Sequence, residues 1–197
     1  MTRRMAAALV LATAPLAGCG INSVPTAEEN AKAKWADVQA AYQRRANLIP
    51  NLVATTKGAA ASEGKILSDV TNARARASSV QVSGDQLTDP AALQRFAAAQ
   101  NGLSASLGAF RQLQEAYPTL QSQDNFKTLM SQLEGTENRI NIAIGDYNGA
   151  VQSYNTRIRT FPDAVGARIF YGAKPMAPYQ ATTPGAENAP SVDFSDK

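Results

Sequence analysis

From Phe126 to Phe161 the apolar residues return at steps of mostly three and four: Phe126, Leu129, Leu133, Ile140, Ile144, Tyr147, Val151, Tyr154, Ile158 and Phe161. That spacing holds one face of a helix for about ten turns. A helix this long must lay its apolar stripe against other helices, so it dictates the fold class of its surroundings. Pro162 marks its end, because proline neither donates a backbone bond nor tolerates helical geometry before it. Upstream, Leu93, Phe96, Gln100, Leu103, Leu107, Phe110, Leu113 and Tyr117 repeat the pattern before Pro118. Asp89-Pro90 offers that helix an N-cap followed by proline at the first helical position. Period-two alternation and hairpin signals are hard to find, which makes the chain all-α.

The stretch from Thr26 to about Val80 is also helical in pattern, with Trp35, Val38, Tyr42, Ile49, Leu52, Val53, Ile66 and Val70 roughly in phase. Unbroken it would be about 80 Å long, well beyond either later helix. Pro50 is the natural place for a turn or sharp kink near Leu48 to Pro50; the alternative is a continuous helix whose weak point lies at Gly58 to Gly64. Either break gives four helices. Residues 163–197 hold four of the ten prolines and little periodicity, so an irregular tail over the surface is expected.

The first residues carry a separate message. Arg3 and Arg4 precede an apolar run from Met5 to Leu16, and Leu16-Ala17-Gly18-Cys19 ends on the only cysteine of the chain. Twelve residues, one of them Pro15, fall short of the roughly 20 needed to span a bilayer. The run resembles a bacterial lipobox, which implies cleavage between Gly18 and Cys19, a diacylglyceryl group on the Cys19 thiol and acylation of the new amino terminus. An ordinary secretory signal with an incidental cysteine is the plainer alternative. Several acyl chains give stable attachment where one does not. Gly20 in place of an aspartate favours the outer membrane, with the folded part facing the periplasm. The expected organisation is a signal over 1–18, a lipid-anchored tether over 19–25, a bundle over 26–162 and a tail over 163–197.

Without the first 18 residues the formal charge falls from +3 to +1. A near-neutral surface lacking a basic block gives no basis for nucleic-acid binding. The chain has no histidine, and its one cysteine is expected to carry lipid, so the usual nitrogen and sulfur metal ligands, thiol nucleophiles and histidine triads are missing. No metal, no cofactor other than the lipid on Cys19, and no catalytic residue are expected.

Several ordered segments carry a family resemblance: Trp35-Ala36-Asp37-Val38, the run Arg44-Arg45-Ala46-Asn47-Leu48-Ile49-Pro50-Asn51-Leu52-Val53, Lys57-Gly58, and Ala73-Arg74-Ala75. Tyr117-Pro118, Glu134 with Thr136 to Ile140, Tyr147-Asn148 with Ala150-Val151, Tyr154-Asn155, Phe161-Pro162 and Val192-Asp193-Phe194 follow in the same order. Together they resemble the LemA family over nearly the whole chain after the signal. The resemblance implies an antiparallel four-helix bundle held at a bacterial membrane by its N-terminus, with no established activity to transfer. Many members keep a transmembrane helix where this chain has a lipobox. Many also have an aromatic after the Lys-Gly pair and a histidine before Glu63, where this chain has Ala59 and Ser62.

Charged residues on the seams are the remaining candidates. Arg45 falls seven residues after Val38 and seven before Leu52, and Glu137 lies between Leu133 and Ile140. Facing inward they would form a buried ion pair, since an unpaired buried charge costs several kcal/mol; alternatively Arg45 snorkels to the surface. Glu134 and Glu137 share a helix face, as a solvated flank or as an acid/base pair of an envelope hydrolase. The tyrosines belong with the core more than with a binding platform. Ile169-Phe170-Tyr171, beside Arg168 and Lys174, would touch the bilayer or a membrane partner, or else fold back on the core. The function expected is a lipid-anchored, non-enzymatic scaffold or adaptor for an envelope protein partner, with a hydrolase or a structural spacer as alternatives.

Overall fold

A computed structural model describes residues 22–57, 63–118 and 123–180. The Gly18-Cys19 signal site, Ala59, Ser62 and Val192-Asp193-Phe194 lie outside the described residues. The elements are α1 (Ser23–Lys57), α2 (Gly64–Ser79), a 3-10 turn (Gly84–Thr88), α3 (Pro90–Ala116), α4 (Asp124–Arg157) and a short α5 (Asp163–Gly166) that runs into a π-helical turn (Ala167–Tyr171). No strand occurs among the described residues. As the sequence dictates, Asp89 caps α3, its side chain accepting the Ala91 N–H at 2.9 Å ahead of Pro90.

Cross-helix bonds fix the topology. Arg74 on α2 reaches Ala46 on α1, Gln100 on α3 reaches Ala77 on α2, and Lys34 on α1 pairs with Asp146 on α4. Arg45 on α1 also meets Glu137 on α4, so α1 and α4 run antiparallel, and theirs is the most extensive contact. At 35 and 34 residues, α1 and α4 are about 50 Å long, whereas the 16-residue α2 covers only about 24 Å. One end of the bundle is therefore a closed four-helix stack. At the other, the place of α2 is taken by irregular chain.

The break expected at Leu48 to Pro50 does not occur: α1 passes straight through Pro50 and ends at Lys57. Proline removes the N–H that would bond the carbonyl of Ala46, leaving a buried acceptor. Arg74 Nε donates to that Ala46 oxygen at 2.8 Å. A cation from the neighbouring helix thus replaces the missing bond, and the division between α1 and α2 falls within the second region named by the sequence, after Lys57.

The core has two parts. Ile49, Leu52, Leu67, Val70, Leu103, Leu107, Phe110, Phe126, Met130 and Leu133 fill the closed end, where Phe110 and Phe126 stack at 6.2 Å. Trp35, Tyr42, Phe96, Tyr147, Tyr154 and Tyr179 fill the open end, with Trp35 5.3 Å from Phe96, 5.1 Å from Tyr147 and 5.7 Å from Tyr179. Two expectations shift here. Phe161 does not continue the α4 stripe but is 86% exposed, because the helix ends at Arg157 and the chain turns out before Pro162. From Gly172 to Gln180 the chain is irregular as expected, yet it delivers Met176 and Tyr179 into the core.

Candidate functional site

Between the two core parts lies a single polar layer. Arg45, 1% exposed, extends from α1 and donates from Nη1 to Ser104 Oγ and Glu137 Oε1, each at 3.0 Å. Its Nη2 donates to the Gln100 backbone oxygen at 3.3 Å and to Gln100 Oε1 at 3.0 Å. Gln100 Nε2 in turn donates to the Ala77 carbonyl at 3.2 Å, in the last turn of α2 where helical carbonyls lack an intrahelical donor. The layer therefore joins all four helices through one guanidinium, whose planar fork suits several acceptors at once. The guanidinium also sits 5.0 Å from the centre of the Tyr42 ring, a cation–π contact, while Nε finds no protein acceptor. Arg45 and Glu137, singled out in the sequence, are brought together. The Glu137 side chain stays 39% exposed at the layer's outer edge.

That edge opens on a groove of about 1350 Å3 between α3 and α4, with Leu93, Ala97, Ile140 and Ile144 among its apolar walls. Glu137 lines it; Glu134 is exposed and does not. Two carboxylates do not converge there. Among the described residues no cluster of three or more acidic, histidine or cysteine side chains could hold a metal.

Above the groove, α4 grips the tail. Asn148 donates to the Tyr179 carbonyl at 3.0 Å and accepts the Tyr179 N–H at 2.8 Å. Asn155 repeats this with Met176, at 2.8 and 2.9 Å. The tyrosine before each asparagine adds a bond, Tyr147 to the Ala177 carbonyl at 2.9 Å and Tyr154 to that of Lys174 at 3.1 Å. Ala177 N–H closes the strap onto the Leu87 carbonyl at 2.9 Å. Every polar group of the strap named here is a backbone atom, so its irregular chain is satisfied without a sheet. Burial pushes the Tyr42, Tyr147 and Tyr179 hydroxyls above the ordinary tyrosine range, and they remain neutral donors or acceptors.

The third feature is the tip of the molecule. Ser23 Oγ donates to Asp163 Oδ2 at 2.7 Å, tying the start of α1 to α5. Arg157 pairs with the same carboxylate oxygen at 3.5 Å. Around this junction Phe161, Val165, Ile169, Phe170 and Tyr171 stand in solvent, Ile169 and Phe170 at 71% and 67% exposure. Arg159, Arg168 and Lys174 are exposed among them. The segment is ordered: Ala167 is buried, Gly172 turns at φ 55°, and Ala173 N–H returns to the Ala167 carbonyl at 3.0 Å. Ile169-Phe170-Tyr171 thus does not fold back on the core.

Sequence pattern did not reveal Arg74, Asn148, Asn155 or Tyr179 as a set. Their signal was present only as the repeated Tyr-Asn pair seven residues apart and the i, i+4 relation of Ala46 to Pro50. Both partners, a carbonyl inside α1 and the tail backbone, are invisible to periodicity.

Fold and site define a helical-bundle protein with a charged layer across its core, a tail strapped to its last helix and an exposed apolar tip. The LemA family model matches residues 34–194, and the chain belongs to the LemA family. It is 31% identical over 157 residues to Magnetosome protein MamQ 1 and MamQ 2 of Paramagnetospirillum magneticum, and 31% identical over 159 residues to Magnetosome protein MamQ of Magnetospirillum gryphiswaldense. Each alignment covers 72% of this chain and 58% of the relative, so the chain spans little more than half the length of those proteins.

Proposed function

We propose that the protein is a membrane-apposed helical scaffold or adaptor of the bacterial envelope, held by lipid on Cys19 and without a catalytic role. The observation that carries this is the Ser23–Asp163 bond, which fixes the exposed apolar tip beside the start of α1. Cys19 stands four residues before Ser23, a reach of at most about 14 Å, so a lipid there would bring the tip to the headgroup region. Apolar side chains among Arg159, Arg168 and Lys174 suit that interface, where rings and alkyl groups enter the acyl boundary and cations meet anionic headgroups. Family membership and relatives named as magnetosome proteins support a membrane- or envelope-associated role. No helix among the described residues is long and apolar enough to cross a membrane.

The bundle would then display its flanks to an envelope protein, with the outer membrane and a periplasmic orientation favoured by Gly20. Flotation of a Cys19→Ser form with phosphatidylglycerol-containing vesicles tests the tip: binding is expected, with at least a tenfold loss for Phe170→Asp. Equal binding by Phe170→Asp sinks the tip contact. Crosslinking in intact cells, comparing native protein with Cys19→Ala, tests the adaptor role. A dominant partner that depends on the anchor is expected, and its absence leaves a spacer.

A further inference from the structure

Where α2 ends, a cavity of about 260 Å3 lies between α1, the last turn of α2 and α3. Tyr42, Phe96 and Val80 give it apolar walls, and Gln39, Gln43 and Ser78 bring polar groups to it. The Ser78 hydroxyl is shut off from solvent and has no hydrogen-bond partner in the protein. A buried hydroxyl left unbonded costs stability, so a group from outside the chain has a place there. Gln39 and Gln43 donate their Nε2 elsewhere, to the Val82 carbonyl at 3.0 Å and to Asn47 Oδ1 at 2.8 Å. Each Oε1 is thereby left able to accept.

Charge sorts what can enter. No charged side chain among the described residues lines the cavity. Ala77 and Ser78 stand in the last turn of α2, so the negative end of that helix dipole lies at the wall and opposes an anion. A cation is opposed by Arg45, whose guanidinium lies behind two wall residues, 5.0 Å from the centre of the Tyr42 ring and bonded to Gln100 Oε1 at 3.0 Å. A neutral molecule with several hydroxyls on one edge and C–H surface for the Tyr42 and Phe96 rings meets neither objection. Hydroxyls on a saturated ring have that form, and the volume, just below the roughly 300 Å3 at which drug-sized pockets begin, suits a single ring. We propose that this cavity binds a neutral cyclic polyol of monosaccharide size, its hydroxyls taken up by Ser78 Oγ and by the Oε1 atoms of Gln39 and Gln43. None of these residues belongs to the membrane-facing tip, so the site stands whether or not the tip meets lipid.

Amide correlation NMR on the full chain carrying Cys19→Ser tests it. The neutral probes are glucose, galactose, mannose and myo-inositol, and the charged ones are glucosamine and glucuronate. At least one neutral probe is expected to bind with a Kd on the order of 1 mM, shifting amides confined to residues 39–43 and 77–81. Both charged probes are expected to bind at least tenfold more weakly. Ser78→Ala removes the unpartnered hydroxyl and Gln43→Leu removes an acceptor from an exposed position of α1. Each is expected to weaken binding at least fivefold, while unchanged amide positions elsewhere show that the variant is folded. No neutral probe binding at roughly fifty times that concentration would leave the cavity to ordered water and overturn the proposal. Equal or tighter binding of a charged probe, or parental binding by both variants, would overturn it as well.

Discussion

The two ends of this bundle solve one packing problem by different means. At the closed end four helices meet, and aliphatic side chains with one stacked phenylalanine pair fill the space. At the open end α2 is absent, and the gap is filled by large rings and by irregular chain whose polar backbone must be bonded individually. Trp35 Nε1 donates to the Val82 carbonyl at 2.8 Å, Gln39 to the same oxygen at 3.0 Å, and the Tyr-Asn pairs of α4 serve the strap. Helical repetition suffices where helices close the core. Where they do not, stability passes to particular side chains with a donor or acceptor at the right height. The Arg45 layer lies between the two regimes and is bonded into both.

The largest effect is expected from removing that shared layer. Arg45→Met leaves Gln100 and Glu137 without their donor and should cost about 3 kcal/mol, with both ends losing protection together. Glu137→Gln in the same chain should restore part of the loss; strict additivity in urea unfolding of the double-mutant cycle would show that the two side chains act separately. Tyr179→Ala should come next, at about 2 to 4 kcal/mol from the cavity among Trp35, Tyr42 and Phe96. Hydrogen exchange should speed up around Trp35 and Tyr147 and stay slow around Leu103. Uniform acceleration would merge the two ends into one unit.

A smaller effect, about 1 to 2 kcal/mol, is expected for Arg74→Ala, which strands the Ala46 carbonyl. Pro50→Ala restores the N–H for that carbonyl, so thermal melts should show a reduced cost of Arg74→Ala in its presence. The smallest effect near neutrality is on pH. In the unfolded chain tyrosines ionise near pH 10, but burial raises Tyr42, Tyr147, Tyr154 and Tyr179, so above about pH 10 the folded state binds more protons. Their contribution is complete below that value and lost as pH rises through the folded values. Tyrosinate absorbance and circular dichroism should show the open end loosening first, since the aliphatic cluster includes no fully buried tyrosine. Simultaneous loss at both ends would contradict the division.

Much of the fold was legible because helix formation and burial are local and periodic. The α3 seam, its Asp89-Pro90 start and the α4 stripe as far as Ile158 needed only residue spacing. The same logic misplaced the first break, since Pro50 gives the local cost of a missing N–H but not the distant Arg74 that offsets it. Phe161 was misplaced for a related reason. Its spacing continues the stripe, but the chain has already left the helix and turned its ring to solvent. For Arg45 the heptad position was readable, whereas the choice between an inward pair and a snorkelled side chain depends on acceptors supplied by two other helices, α3 and α4.

Sequence alone thus determined the helical class, the seams and the residues from which any charged layer had to be built, because each rests on spacing within one segment, and ordered motifs along the whole chain carried the family. Tertiary structure decided that Pro50 is spanned, that Arg45 is enclosed, that Tyr179 enters the core and that Ile169 and Phe170 remain in solvent. Those outcomes turn on whether a backbone group or a ring meets a partner from a remote part of the chain, and only the packed arrangement sets that distance.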